Sequence, residues 1–125
     1  MSDGGLGPAL RTLARRAAIA VELDVAAIAR LPEPVEVAAY YVVSEALTNA
    51  TRHARASVVR VAAEERDDSL RLSIRDDGAG GADPARGSGR TGLRDRAEAL
   101  GGSIEVSSPP SEGTMILVQL PVQLH

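Results

Sequence analysis

Residues 35–53 read VEVAAYYVVSEALTNATRH, and the fold turns on how this run is taken. Val35, Ala39, Val42, Val43, Ala46, Leu47 and Ala50 recur at intervals of three and four, the spacing that lines one face of an α-helix. At about 100° per residue, Glu45, Asn49 and Arg52 fall within about 60° of one another, beside that apolar face and not opposite it. Such a stripe is either a solvated helix edge with ordinary i,i+4 contacts or the lining of a site. An Asn carbonyl and a Glu carboxylate are hard oxygen donors or proton acceptors, and Arg is a phosphate donor. Mg²⁺ takes few protein oxygens and fills its shell with water and phosphate, so the stripe also fits a metal-phosphate edge.

Outward from this helix the pattern changes period. Upstream, residues 6–18 carry Leu6, Leu10, Leu13 and Ala17 at helical spacing, with Pro8 tolerated in the first turn. Residues 19–25, IAVELDV, alternate as a half-buried strand does, and Pro32 and Pro34 punctuate a loop before the long helix. Downstream, 57–65 and 69–76 are two β-rich runs around Arg66-Asp67-Asp68, which predicts an antiparallel hairpin. The Gly-rich segment 77–92 is expected to be irregular, and a loop of that length in a compact domain is usually functional. Residues 93–102 predict a short helix stopped by Gly101-Gly102, and SIEVSS and TMILVQLPV predict two last strands. The order α-β-α-β-β-loop-α-β-β predicts an α/β (α+β) two-layer sandwich: a mixed, mostly antiparallel sheet of about five strands with about three helices on one face.

The chain has 125 residues, the size of one domain, and residues 1–125 are expected to form it, with 1–18 as a remnant of a linker helix. Charged residues make up 25% of it and the net charge is -3, which argues against wholesale nucleic-acid binding. All 14 basic residues are Arg, so any phosphate contact is an Arg contact. Cys is absent, which removes disulfides, thiolate metal sites and Cys nucleophiles. With no Phe or Trp, the core must be aliphatic and base-stacking platforms are lacking. Neither a membrane-length apolar run nor a signal-peptide layout is present, so a cytoplasmic chain without direct membrane contact is expected.

Two glycine segments complete the site reading. RDDGAGG, 75–81, puts a carboxylate at a strand end just before glycines whose backbone can pass close to a planar ligand; an ordinary Asp-Gly turn has the same signature. GSGRTG, 87–92, resembles a dinucleotide fingerprint, but does not follow a strand, which rules that reading out. What remains is a run of backbone N–H groups leading into a helix N-terminus, a natural phosphate site to which Arg86, Arg90 and Arg94 add charge.

Together these segments resemble the ATP-binding catalytic domain of bacterial sensor histidine kinases, in the superfamily that also holds DNA gyrase and the mismatch-repair and heat-shock ATPases. EALTNATRHA matches the N box, DDGAGG and GSGRTGLRDRAEALGG the two glycine boxes, and SEGTMI the closing Gly-Thr, in the family's order. GLRDRAEALGG is particularly similar to the NarX- and DesK-like subclass. The resemblance implies ATP and Mg²⁺ as ligands, with Asn49 coordinating the metal and Glu45 near the γ-phosphate as proton acceptor or member of the metal shell. It implies that Asp76 accepts a hydrogen bond from the adenine amine, that Gly78 and Gly80 pass the base, and that Thr114 supports the adenine pocket. Gly87, Gly89, Thr91, Gly92 and Leu93 would form the lid over the phosphates, and Arg52, where many members carry Lys, would contact phosphate. No Phe box is possible in a chain without Phe.

The family phosphorylates a His on a separate dimerisation domain, and residues 1–52 hold no His. The resemblance therefore implies a module that binds ATP, needs the dimerisation and phosphoacceptor domain of the same kinase, and acts upstream of a response regulator. An anti-sigma-factor-type serine-protein kinase and a non-catalytic nucleotide-sensing domain are the alternatives.

Overall fold

A computed structural model describes residues 5–25, 31–52, 56–78, 88–107 and 113–122. Its elements are α1 Leu6–Arg16, β1 Ala20–Val25, α2 Glu33–Arg52, β2 Val58–Arg66, β3 Ser69–Asp76, α3 Ser88–Ala99, β4 Ser103–Ser107 and β5 Thr114–Pro121. The five strands form one sheet in the order β1-β2-β3-β5-β4. β1 pairs with β2 in parallel and the other three pairings are antiparallel, so the expected mixed sheet is found.

Alternation along the strands decides which face is covered. Val59, Val61 and Ala63 of β2, Leu70, Leu72 and Ile74 of β3, and Ile116, Val118 and Leu120 of β5 are all buried. They meet Val35, Ala38, Ala39, Val42, Val43, Ala46, Leu47 and Ala50 of α2 in one aliphatic cluster. Burying a Val or Leu side chain is worth about 1.5–3 kcal/mol, so this aliphatic seam, with half-buried Tyr40 and Tyr41 packed against it, holds the two layers together. α1 joins it through Leu6 and Leu10, packing on α2 and β1, while α3 contributes Ala97 against α2, β4 and β5. The opposite sheet face is open: Arg60, Ala62, Glu64 and Leu117 are exposed.

Three boundaries differ from the sequence expectation, each for a local reason. α2 begins at Glu33, so Pro34 lies in its first turn and not in the loop; an N–H is lacking there at no cost, and Val35 N–H reaches the Pro32 carbonyl at 3.0 Å. The hairpin turn is Asp67-Asp68 alone, at φ 52° and 61°, with Arg66 paired to Ser69. Positive φ at both central residues is the type I′ geometry, whose twist suits adjacent strands. α3 starts at Ser88, five residues before the expected start at 93, so residues 88–92 are helical and not irregular. Gly lowers helix propensity by about 1 kcal/mol relative to Ala without forbidding helical dihedrals, and Gly89 and Gly92 are two such tolerated positions.

The end of α3 does obey its local signal. Gly101 adopts φ 82°, its N–H bonds the Glu98 carbonyl at 3.0 Å, and the Gly102 N–H bonds the Ala97 carbonyl at 2.8 Å. That pair is a Schellman motif, satisfying carbonyls the helix would otherwise leave bare.

Candidate nucleotide site

Pairing register brings the first group of candidates together. Asp76 is the last residue of β3 and stands opposite Thr114, the first residue of β5, with Val59 of β2 on its other side. All three continue the helix-facing rows of their strands, which places Asp76 and Thr114 at the rim of the covered face. Directly opposed residues have Cβ atoms about 4.5–5.5 Å apart, so a ligand contact at one is a neighbour of the other. Thr114 is only 6% exposed, whereas Asp76 is half-buried. Asp76 Oδ1 accepts the Gly78 N–H at 2.9 Å, a side-chain turn that orients the carboxylate and bends the chain away from the strand. Gly113 holds φ 77°, and a Cβ there would strike the Asp76 carbonyl oxygen. Only glycine lets β5 enter this close to Asp76.

The next residue binds elsewhere. Asp77 Oδ1 accepts the backbone N–H groups of Ser57 at 2.7 Å and Val58 at 3.1 Å, and its Oδ2 accepts the Ser57 hydroxyl. The hydroxyl bond first, then the two amide bonds, favour the ionised form and lower its pKa from 3.8 to about 2.

α2 reaches the same end of the sheet. The chain leaves its last turn, where the Ala56 N–H bonds the Ala50 carbonyl at 3.1 Å, and enters β2 at Val58, beside the pair of Val59 with Asp76. Asn49 and Glu45, both half-buried, therefore lie on the half of α2 that approaches the Asp76 rim. Thr48 and Thr51 direct their hydroxyls at the backbone of their own helix, to the Ser44 and Leu47 carbonyls at 3.1 and 2.9 Å.

α3 closes the arrangement from the side. It ends beside Ser103, which pairs with Gln119 at the far end of β5, so α3 runs antiparallel to α2 and points its N-terminus toward the Asp76 rim. The Arg96 guanidinium carbon lies 4.1 Å from the centre of the Tyr41 ring, fixing the level at which the helices meet. From that level both helices climb about 12 Å over eight residues, to Asn49 on α2 and Ser88 on α3. Tyr41 precedes Glu45 by one turn on the same stripe, and Glu45 and Asn49 are both half-buried, so the stripe is not turned to bulk water alone.

Asp76, Gly78, Thr114, Glu45 and Asn49 thus gather at one end of the sandwich, with the backbone of Gly89, Thr91, Gly92 and Leu93 in the first turns of α3. Gly80, Gly87 and the Arg52 side chain, like His53 and Arg86, lie outside the described residues. Tyr41, Ser57 and Arg96 were not singled out by the sequence, and Asp77 entered only as a member of DDGAGG without a role, whereas Gly113 is the glycine of the closing Gly-Thr, SEGTMI. Two concavities, of about 490 and 500 Å³, lie on the open sheet face, bounded by residues such as Asp24, Arg71 and Leu117, or Glu22, Arg60 and Arg75. They face away from Asp76.

The donor set tests what ion would suit the site. Among the described residues no group of three or more His, Asp or Glu is gathered to hold a metal. One Asn carbonyl with a Glu carboxylate a turn away suits Mg²⁺ carried mainly by phosphate and water, and would not make a cage for Ca²⁺.

A family model described as histidine kinase-, DNA gyrase B-, and HSP90-like ATPase matches residues 35–124. The chain is 36% identical over 96 residues to the signal transduction histidine-protein kinase/phosphatase DegS of Brevibacillus brevis, covering 74% of this chain and 25% of that protein. It is 32% identical over 126 residues to the nitrate/nitrite sensor protein NarX of Escherichia coli K12, covering 94% and 21%. The histidine kinase domain of the Erythrobacter litoralis EL346 blue-light activated histidine kinase superposes with a TM-score of 0.75 at 28% identity, covering 94% of this chain and 59% of that one. The chain thus spans about a quarter of these two curated relatives.

Proposed function

The chain belongs to the histidine kinase-, DNA gyrase B-, and HSP90-like ATPase family, and from that premise we propose that it is the ATP-binding catalytic domain of a two-component sensor histidine kinase. In this reading it binds Mg²⁺-ATP and delivers the γ-phosphoryl group to a His on the dimerisation domain of the same kinase, from which a response regulator takes it. The observation that carries the reading is the gathering of the Asp76–Thr114 pair, the Glu45–Asn49 stripe and the α3 N-terminus at one end of the sandwich. The kinase names of the curated relatives favour it over the serine-kinase and nucleotide-sensing alternatives.

The roles follow from the donors. The Asp76 carboxylate, oriented through Oδ1 by Gly78, would accept the exocyclic amine of adenine on Oδ2, while buried Thr114 packs beside it. Asn49 would hold Mg²⁺ through its side-chain carbonyl, with Glu45 in or next to the metal shell; the ion supplies charge neutralisation between the phosphates. First-turn backbone N–H groups of α3, that of Gly89 among them, would meet phosphate oxygens, with Thr91, Gly92 and Leu93 a turn further along the same helix, Arg52 adding charge and Gly80 and Gly87 flanking base and lid. Phosphoryl transfer asks mainly for positioning and charge stabilisation, which this set provides without a covalent intermediate on the chain.

Calorimetry with ATP and Mg²⁺, followed by transfer to a supplied dimerisation domain, tests this. Saturable binding and phosphohistidine on the supplied domain, with none on this polypeptide, is the expected result. Stable phosphohistidine on the isolated chain, or no nucleotide binding, refutes it.

A further inference from the structure

Asp76 and Asp77 are adjacent yet serve different partners. Among the described residues the last rung of the β2–β3 ladder is the pair of Val59 with Asp76, with no further backbone pairing between the two strands beyond it. Asp77 supplies the missing link, with both carboxylate oxygens engaged by Ser57 and Val58 on the segment that leaves α2. That segment is itself bonded to α2 through Ala56 N–H and the Ala50 carbonyl, one residue past Asn49. A continuous chain of hydrogen bonds therefore runs from the strand end that carries Asp76 to the helix that carries Asn49.

We propose that Asp77 is a positioning residue of the nucleotide site, setting the distance and orientation between its base-binding end at Asp76 and its metal-phosphate end at Asn49. The inference rests on the ATP reading above. A carboxylate suits the task because bonds from N–H and O–H donors to an ionised acceptor are short and strong. Asp77 touches neither ligand half; it acts through Asp76 and α2.

A positioning role makes a prediction that a purely structural role does not. Mg²⁺-ATP must engage both ends at once, whereas adenosine engages only the base end. Loss of one well-placed hydrogen bond to a charged group costs about tenfold or more in affinity, so Asp77→Ala is expected to weaken Mg²⁺-ATP about tenfold and adenosine less than about twofold. Asp77→Asn keeps an oxygen for both amides and can donate to the Ser57 hydroxyl, so it should restore Mg²⁺-ATP affinity to within about threefold of the parent chain.

Calorimetry for Mg²⁺-ATP and amide chemical-shift titration for adenosine, alongside thermal melting, read the outcome. Selective loss for Mg²⁺-ATP with rescue by Asn supports the proposal. Equal loss for both ligands, or no loss for Mg²⁺-ATP in a folded variant, overturns it. If Asp77→Ala does not fold, Ser57→Ala, which keeps both amide bonds, carries the same test with a selective loss of about threefold. A parent chain that binds neither ligand refutes the ATP reading itself, whereas normal parental binding with non-selective losses refutes only the role of Asp77.

Discussion

Replacing Asp76 by Asn separates the base contact from the fold more sharply than any truncation. In the structure Oδ1 accepts the Gly78 N–H at 2.9 Å, and an Asn side chain can keep that bond with its own Oδ1. The position of Oδ2 then becomes an NH₂ donor. Set against the adenine amine, also a donor, it both forfeits the charged hydrogen bond and leaves two donors facing each other. A hydrogen bond to a charged group is worth about 1.5–3 kcal/mol, and every 1.4 kcal/mol is tenfold, so ATP affinity should fall about 10- to 100-fold. Inosine triphosphate presents a carbonyl oxygen where adenine has its amine, and that acceptor matches the new donor. Asp76→Asn is thus expected to reverse the preference between the two nucleotides while melting within a few degrees of the parent chain. Asp76→Ala, which also opens the Gly78 turn, should weaken both nucleotides and lower stability. The assay is calorimetry with each nucleotide and Mg²⁺, paired with thermal denaturation. An Asn variant that retains the parental ATP preference would refute the assignment of Asp76 to the base, whatever its affinity.

Three further outcomes follow from particular contacts. Asn49→Ala should reduce ATP affinity only when Mg²⁺ is present, so that titrations with and without chelator converge; an equal loss in both removes Asn49 from the metal. Asp77 has a depressed pKa, so its contribution to stability is complete above about pH 4 and is lost as pH falls through about 2. Urea unfolding between pH 5 and 2 should accordingly show a shallower decline in Asp77→Asn than in the parent chain, and equal slopes would contradict the bonding to Ser57 and Val58. Asp68 sits at φ 61° in the two-residue turn, so Asp68→Gly should stabilise the chain by about 0.5–1 kcal/mol in denaturant unfolding, and destabilisation would contradict the type I′ geometry.

The architecture was legible where local pattern and burial agree. The three-and-four spacing of α2 reflects a real one-sided burial, since Val35, Ala39, Val42 and Ala50 are all essentially inaccessible. Alternation marked each strand for the same reason. What the pattern missed was set by distant partners or by tolerance of a poor local choice. The early start of α3 is a case of the latter, since glycines there weaken helix formation without preventing it. Glu36 is 2% exposed yet belongs to a charged residue type, and its role appears only when its Oε2 is seen accepting the Leu31 N–H at 3.3 Å. The candidate site divides in the same way. Asp76 and Asn49 stood out by residue type and motif, whereas the opposition of Asp76 to Thr114 and the stacking of Arg96 on Tyr41 depend on long-range pairing that no short window contains.

The strand order β1-β2-β3-β5-β4 also governs when a nascent chain can become competent. β5 is last in sequence but lies between β3 and β4, so a ribosome that has made everything through β4 has released a strand with no neighbour and an Asp76 with no Thr114 beside it. Such non-local closure is slow to form relative to helical contacts. Translation must pass Pro121, and that segment must clear the exit tunnel, before Asp76 gains Thr114 as a neighbour; a stall or premature stop upstream yields a polypeptide whose aliphatic layer lacks the Ile116, Val118 and Leu120 row.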